Sequence, residues 1–216
     1  MRWLRRLWPE PPPESEAEEA EEPEDTEETG PPAVERAAPG IAALFHELEP
    51  DGTHAVLDLG PAARTHLDLY SRYARRIRFA DLLGAPARGE NWATALQALP
   101  SGARELFDVV LAWDLLDRMS PEEHPLLVER LAGLTSEGAL LHILVNASPD
   151  RPPRPVRFTL QSLERIRHEP EAHPWPTWPP LLPAEVERVL EPFHVIHAFT
   201  LRLGYRAYVA VRREEE

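Results

Sequence analysis

The chain has no cysteine. Disulfides, thiolate metal sites and cysteine nucleophiles are therefore excluded. It also has no lysine: all 23 basic residues are arginine. That removes Schiff-base chemistry and the phosphate-binding lysine of a P-loop. Long apolar runs are missing as well. The longest, such as Ala139–Val145, fall far short of the roughly 20 residues that span a bilayer. Arg2–Trp8 is not followed by an apolar stretch, so the sequence carries no secretory signal and a cytoplasmic location is expected. Metal-ligand spacings are missing among the nine histidines, and no metal is expected. His194 and His197 lie three apart on an expected strand and so face opposite sides.

What is abundant is acid, and it is unevenly spread. The net charge is −14. Glu10–Glu28 holds 11 acidic residues and no basic one, and Glu214–Glu216 adds three. Setting those 14 apart from the 37 acidic residues, and the three arginines of residues 1–8 from the 23 basic ones, leaves 23 acidic and 20 basic residues between Thr29 and Arg213. That balance is ordinary for a folded domain, and charge gives no support to a nucleic-acid partner.

Three segments are expected. Residues 1–39 read as a disordered Pro/Glu-rich tail, because self-repulsion and low hydrophobicity leave too little apolar surface to offset chain entropy. Within it, residues 1–8 (MRWLRRLW) put Leu4, Leu7 and Trp8 on one helical face, a candidate for weak docking to a membrane or partner. Residues 40–213 are the folded domain, and residues 214–216 a short acidic tail.

The domain alternates helices and strands. The pattern predicts a helix over Ile41–Leu48 and a strand over Ala55–Leu59. Pro61 is expected to open a helix that runs to about Arg75, followed by a strand over Ile77–Ala80. A helix over Asn91–Leu99 and a strand over Phe107–Ala112 come next. Pro121 opens a further helix, and Ala139–Val145 is a buried strand. Phe158–Arg167 reads as either strand or helix. A helix over Ala184–Leu190 precedes two strands, Phe193–Leu203 and Tyr205–Arg212, joined at Gly204. Continuous apolar strands such as FDVVLA imply a sheet covered on both faces. His142 within ALLHILV reads as a buried, hydrogen-bonded histidine. The fold class is α/β, a doubly wound and mostly parallel sheet that ends in an antiparallel hairpin.

The segment Ala55–Asp81 carries the candidate site: a strand, a glycine turn, a helix, and a second strand that ends on a carboxylate. Gly60 lets the backbone approach a ligand closely, since no Cβ intrudes. Asp58 lies just before the turn, Asp81 ends the second strand, and Asp114 follows the FDVVLA strand. Read from the residues alone, such a unit serves a dinucleotide or another nucleoside cofactor.

Taken together, Asp58-Leu59-Gly60-Pro61-Ala62-Ala63-Arg64, the Asp81 in RIRFAD, FDVVLAWDLLDRM and SEGALLHILV resemble the class I S-adenosylmethionine-dependent methyltransferases, in a divergent form. The resemblance covers about Gly40–Arg213. It implies a seven-stranded Rossmann-like sheet with S-adenosylmethionine bound at Asp58, Gly60, Ala62, Asp81 and Asp114. In that pattern Ala62 and Arg64 stand where the family has glycines. Asp58 would orient the loop or receive the cofactor's ammonium through water, and Asp81 would accept the ribose hydroxyls. The function implied is methyl transfer to a small-molecule or protein acceptor. No catalytic residue is assigned, because the family's Asn-Pro-Pro-Tyr type motif is absent. Trp175, Trp178, Arg151, Arg154 and Arg157 are candidates for an acceptor wall. Two alternatives accompany this reading. One is a silent methyltransferase-like binding or scaffold domain. The other is an NAD(P)-dependent oxidoreductase, whose fingerprint needs glycines where the chain has Gly60, Ala62 and Thr65.

Overall fold

A computed structural model describes residues 33–100, 106–148, 156–171 and 178–214. All of them belong to one compact unit, residues 31–216. Its main sheet has six strands in the order β3-β2-β4-β5-β9-β8. They are β2 (His54–Asp58), β3 (Ala74–Phe79), β4 (Phe107–Leu111), β5 (Thr135–Asn146), β8 (Phe193–Thr200) and β9 (Tyr205–Arg212). The pairs β2–β3, β2–β4 and β4–β5 are parallel. β9 runs antiparallel to both β5 and β8, so the terminal hairpin inserts its last strand beside β5. The α/β class and the antiparallel ending agree with the sequence pattern.

Burial explains the central strands. Val109–Leu111 and Ala139–Asn146 are buried at nearly every position, because helices cover the sheet and no face is left for polar residues. Among those helices, α1 (Pro39–His46) packs on β5, β8 and β9. α2 (Arg64–Tyr70) lies against β3, and α3 (Trp92–Gln97), α5 (His124–Ala132) and α6 (Pro183–Val189) contact one another in sequence order. A short helix, α4 (Leu115–Arg118), follows β4 and touches β5. Among the described residues, no helix is long and apolar enough to cross a membrane.

Three features depart from the expectations. Among the described residues the sheet has six strands, where seven were expected. Between β3 and β4 the described residues form a 3₁₀ turn (Pro86–Arg88) and α3 but no strand, since Gly84, Pro86 and Gly89 break the run. β3 therefore ends the sheet, with Arg75 and Arg78 exposed along it, a charged edge of the kind that discourages strand addition.

The ambiguous stretch Phe158–Arg167 is a hairpin, β6 (Val156–Ser162) with β7 (Arg165–Pro170). Phe158, Leu160, Ile166 and His168 are its buried positions, spaced as on a strand.

The folded region also starts before residue 40. β1 (Val34–Ala37) pairs antiparallel with β7, giving a second sheet ordered β1-β7-β6. Its VERA sequence has only two apolar residues, so the strand owes its existence to a ready-made edge rather than to propensity. Ala38 N–H then donates to the Glu164 carbonyl, 2.8 Å. The remaining expected tail, residues 1–32, and the docking segment 1–8 lie outside the described residues.

A chain that starts at Pro39 loses β1 and the Ala38 bond. Compared with a chain that starts at residue 33, it should melt lower by about 3–6 °C, the equivalent of ~1–2 kcal/mol for a domain of this size. Equal melting temperatures in a calorimetric scan would mean that β1 contributes nothing.

Candidate functional site

The site lies at the C-terminal ends of three neighbouring parallel strands. β2 is flanked by β3 on one side and β4 on the other, so the chain reverses its winding direction there. In open α/β sheets ligands bind in the crevice outside such a switch point. Asp58 is the last residue of β2, while Asp81 and Asp114 lie just beyond β3 and β4. The sequence-expected carboxylates thus stand in a row across adjacent strands.

Asp58 is fully buried. Its Oδ1 accepts from the Gly60 N–H (2.8 Å) and from the Trp113 indole N–H. Its Oδ2 accepts from the Tyr70 hydroxyl (2.9 Å) and pairs with His66 Nδ1 (2.9 Å). The imidazole tautomer follows from its other nitrogen. His66 Nε2 receives the Leu160 backbone N–H at 2.9 Å and must be an acceptor. Nδ1 therefore carries the proton and donates it to Asp58. Burial, and then the Asp58 charge, hold the Tyr70 phenol well above its usual range, so it too is a donor. Four donors fill the roughly four acceptor positions of one carboxylate. Of the two alternative roles expected for Asp58, the Gly60 bond gives it the first, orienting the glycine turn, and protein groups fill its other acceptor positions.

Gly60 is crowded on its ligand side. A Cβ placed there would lie 2.8 Å from Trp113 Nε1 and 3.2 Å from Asp58 Oδ1. The Trp113 ring is buried, stacked near-parallel on Phe158 (6.0 Å between centroids, 8°) and on His66 (5.5 Å, 25°). Trp113 is thus a core residue with a polar tie to Asp58.

The rest of the glycine turn is open. Ala62 is exposed on the loop before α2. Arg64 points into solvent near Asp68, 3.8 Å away, rather than over the site. α2 begins at Arg64, not at Pro61, and ends at Tyr70. Pro61 to Ala63 instead form an extended lead-in, with Ala63 at φ −130° and ψ 139°. The Asp58–Gly60 bond closes the turn right after β2 and delays the helix.

Asp81 is the accessible member, 38% exposed. Its Oδ1 caps the Gly84 N–H (3.0 Å) and its Oδ2 meets Arg88 (3.2 Å), itself 47% exposed and also bound to the Asp81 carbonyl. Asp114 is buried and pairs with Arg118 Nε at 2.8 Å. Arg118 also binds Glu171 (3.1 Å) and the Val156 carbonyl (2.7 Å), joining the β4 end to the second sheet. Asp114 is therefore paired with Arg118. Burial raises its pKa against the pull of Arg118.

Asp117 accepts the Asn146 N–H at 2.7 Å, and burial together with the Asp114 charge pushes its carboxyl up to about 8. Burial holds the His142 imidazole down at about 3. His142 is buried as expected, and its Nδ1 has no hydrogen-bond partner. Of the proposed acceptor wall, Arg151, Arg154 and Trp175 lie outside the described residues. Arg157 is exposed on β6, and Trp178 has its indole N–H buried without a partner.

The sequence reading missed His66, Tyr70 and Arg118. His66 and Tyr70 lie four apart on the helix after an acid-ended strand, so they share one face. That spacing was the available signal. For Arg118 it was the equal spacing from Asp114 on α4.

Comparison with known proteins places the fold. No family model and no curated protein matches the chain. Solved structures do match. An S-adenosylmethionine-dependent methyltransferase from Mesorhizobium loti aligns with a TM-score of 0.50 at 14% identity, covering 79% of this chain and 96% of that one. A Listeria monocytogenes protein provisionally assigned the same activity aligns with a TM-score of 0.50 at 13% identity, covering 82% and 99%. The chain has the Rossmann-like fold of the class I methyltransferases.

Two outcomes test this geometry. Asp58→Ala strands three buried side-chain donors at about 1–3 kcal/mol each, so urea unfolding should lose at least ~3 kcal/mol. A loss below 1 kcal/mol would contradict the hub.

The second concerns pH. The Asp117 pKa is raised in the folded chain, so its proton favours folding below the unfolded value of about 4, and that benefit fades as pH climbs to about 8. Asp117→Asn should therefore gain melting temperature relative to the parent between pH 5 and pH 8. A difference that is constant with pH would mean that Asp117 titrates normally.

Proposed function

We propose that this chain is an S-adenosylmethionine-binding methyltransferase domain that rests in a closed form. The observation that carries the reading is the row of Asp81, Asp58 and Asp114 beyond the ends of β3, β2 and β4, at the switch point of a methyltransferase-type sheet. The neighbours of this fold include proteins named for that activity.

The residues present fit the two ends of the cofactor unequally. Asp81 is exposed and held only by the Gly84 N–H and by an arginine that is itself half exposed, so it can turn to the paired ribose hydroxyls. At the other end, Gly60 and Asp58 are covered by Trp113. In this conformation the methionyl end does not fit, and no chemical step is assigned to any residue. When bound, the cofactor itself supplies an activated methyl group. The protein's part is to hold donor and acceptor in line, which accounts for much of the rate in such transfers. The acceptor, a small molecule or a protein, would approach from the side of β6 and β7.

A second reading has its own observation. The four donors on Asp58 and the ring over Gly60 also suit a permanently closed domain that serves as a binding or scaffold module. An NAD(P) oxidoreductase gains nothing from the geometry beyond the general fold.

Calorimetric titration separates the two. The full chain should bind S-adenosylhomocysteine measurably below millimolar ligand. No heat at millimolar ligand would end the methyltransferase reading and leave the scaffold.

A further inference from the structure

We infer that Trp113 is a built-in competitor for the cofactor, its indole N–H standing where the ligand's ammonium would bind. The inference rests on the site reading above and deepens it.

Four observations converge on this side chain. The indole donates to Asp58 Oδ1, the carboxylate that a ligand ammonium in this crevice would seek. The ring also fills the space beside Gly60, the glycine of the turn. Of the four donors on Asp58, it alone comes from outside the β2–α2 unit: Gly60, His66 and Tyr70 belong to that unit and move with it. Finally, Trp113 adopts φ +50°, and it is the one non-glycine residue with positive φ among the described residues. Such backbone in a bulky residue costs about 1–3 kcal/mol and persists only where surroundings enforce it.

Those surroundings are β5, whose Leu144 N–H donates to the Trp113 carbonyl at 2.7 Å, and the second sheet. Phe158 of β6 stacks on the outer face of the Trp113 ring, and His168 and Tyr205 meet Phe158 edge-on at 5.0 and 5.9 Å. His66 stacks on Trp113 and also accepts the Leu160 N–H of β6. The β6–β7 hairpin thus backs the indole and holds it against Asp58. Chemically the exchange is feasible. A neutral indole offers an uncharged donor, whereas an ammonium offers a charge-assisted one to the acceptor position that the indole would vacate. The ligand class selected is therefore an amino acid end carrying a free ammonium, joined to a nucleoside that reaches Asp81.

The test uses S-adenosylhomocysteine as the probe and the full chain throughout. Trp113→Gly removes the ring and suits the positive φ. It should bind the probe at least tenfold more tightly than the parent, or bind where the parent shows no binding. Trp113→Phe keeps most of the ring and should gain far less. In the parent, the Trp113 indole N–H should exchange slowly with solvent by NMR, and fast when the probe saturates.

Equal affinity of the parent and Trp113→Gly would overturn the inference while leaving the methyltransferase reading in place. Binding by Trp113→Gly alone would uphold the inference and favour the closed scaffold for the parent. No binding by either folded protein would overturn both. Should the glycine variant fail to fold, slow indole exchange that persists in the saturated parent overturns the inference by itself.

Discussion

A buried carboxylate with no permanent cation beside it organises this domain. Removing Asp58 from water costs several kcal/mol, and the compensation comes wholly from hydrogen-bond donors. Those donors come from the turn after β2, from two positions on α2 and from the end of β4. Each is fixed in place because the charge cannot do without it. The α2 helix is only seven residues long and has no side-chain cap at its start, so intrinsic propensity does not explain it. His66 and Tyr70, anchored to one carboxylate oxygen, do.

The constraint extends through His66 into the second sheet. Because Nδ1 is committed to Asp58, Nε2 is left as an acceptor, and the Leu160 N–H satisfies it. A parallel tie runs from Asp114 through Arg118 to Glu171 and the Val156 carbonyl. The β1-β7-β6 sheet is thus tied to the crevice by one polar link from the β2–α2 unit, one from α4, and the ring stack between them. Neither polar link is an exposed ion pair. Both are buried and hydrogen-bonded on several sides, the situation in which removing one partner is costly. The same architecture pushes the Asp117 carboxyl up to about 8, first by burial and then by the neighbouring Asp114.

Sequence alone made the sheet legible because its strands carry strong local signals. FDVVLA and ALLHILV are continuous apolar runs, and the expected Gly204, at φ +85°, closes the turn between the last two strands, although β8 stops at Thr200 rather than Leu203. β1 was not legible: VERA has no apolar run, and its strand state depends on an edge about 130 residues away in sequence. The hairpin of β6 and β7 was ambiguous because its turn, Leu163-Glu164, contains none of the usual turn residues. At the site, Asp58, Gly60 and Asp81 were legible as a strand–turn–strand unit. Their partners were not, because the Asp58–Trp113 bond joins residues 55 apart. The direction of the Trp113 side chain also depends on a backbone conformation that tryptophan rarely takes.

This relocates the meaning of the missing glycines. Ala62 and Arg64 look like the damaged positions when the turn is read as a pattern of letters. Conformationally they are undemanding, since among the described residues positive φ occurs only at Trp113 and at Gly52, Gly89, Gly138 and Gly204. Residues 60–64 therefore need no left-handed backbone, and an alanine or arginine sits there without strain. Ala62 is exposed and Arg64 is turned to solvent, so neither obstructs the crevice. Gly60 is required for a different reason, because a Cβ there would strike the Trp113 indole. The obstacle to a ligand thus lies at the end of β4, in FDVVLAWD, one of the stretches that resembles the methyltransferases most. A motif match there reports the strand and its carboxylate, while the one bulky side chain between them decides whether the crevice is open.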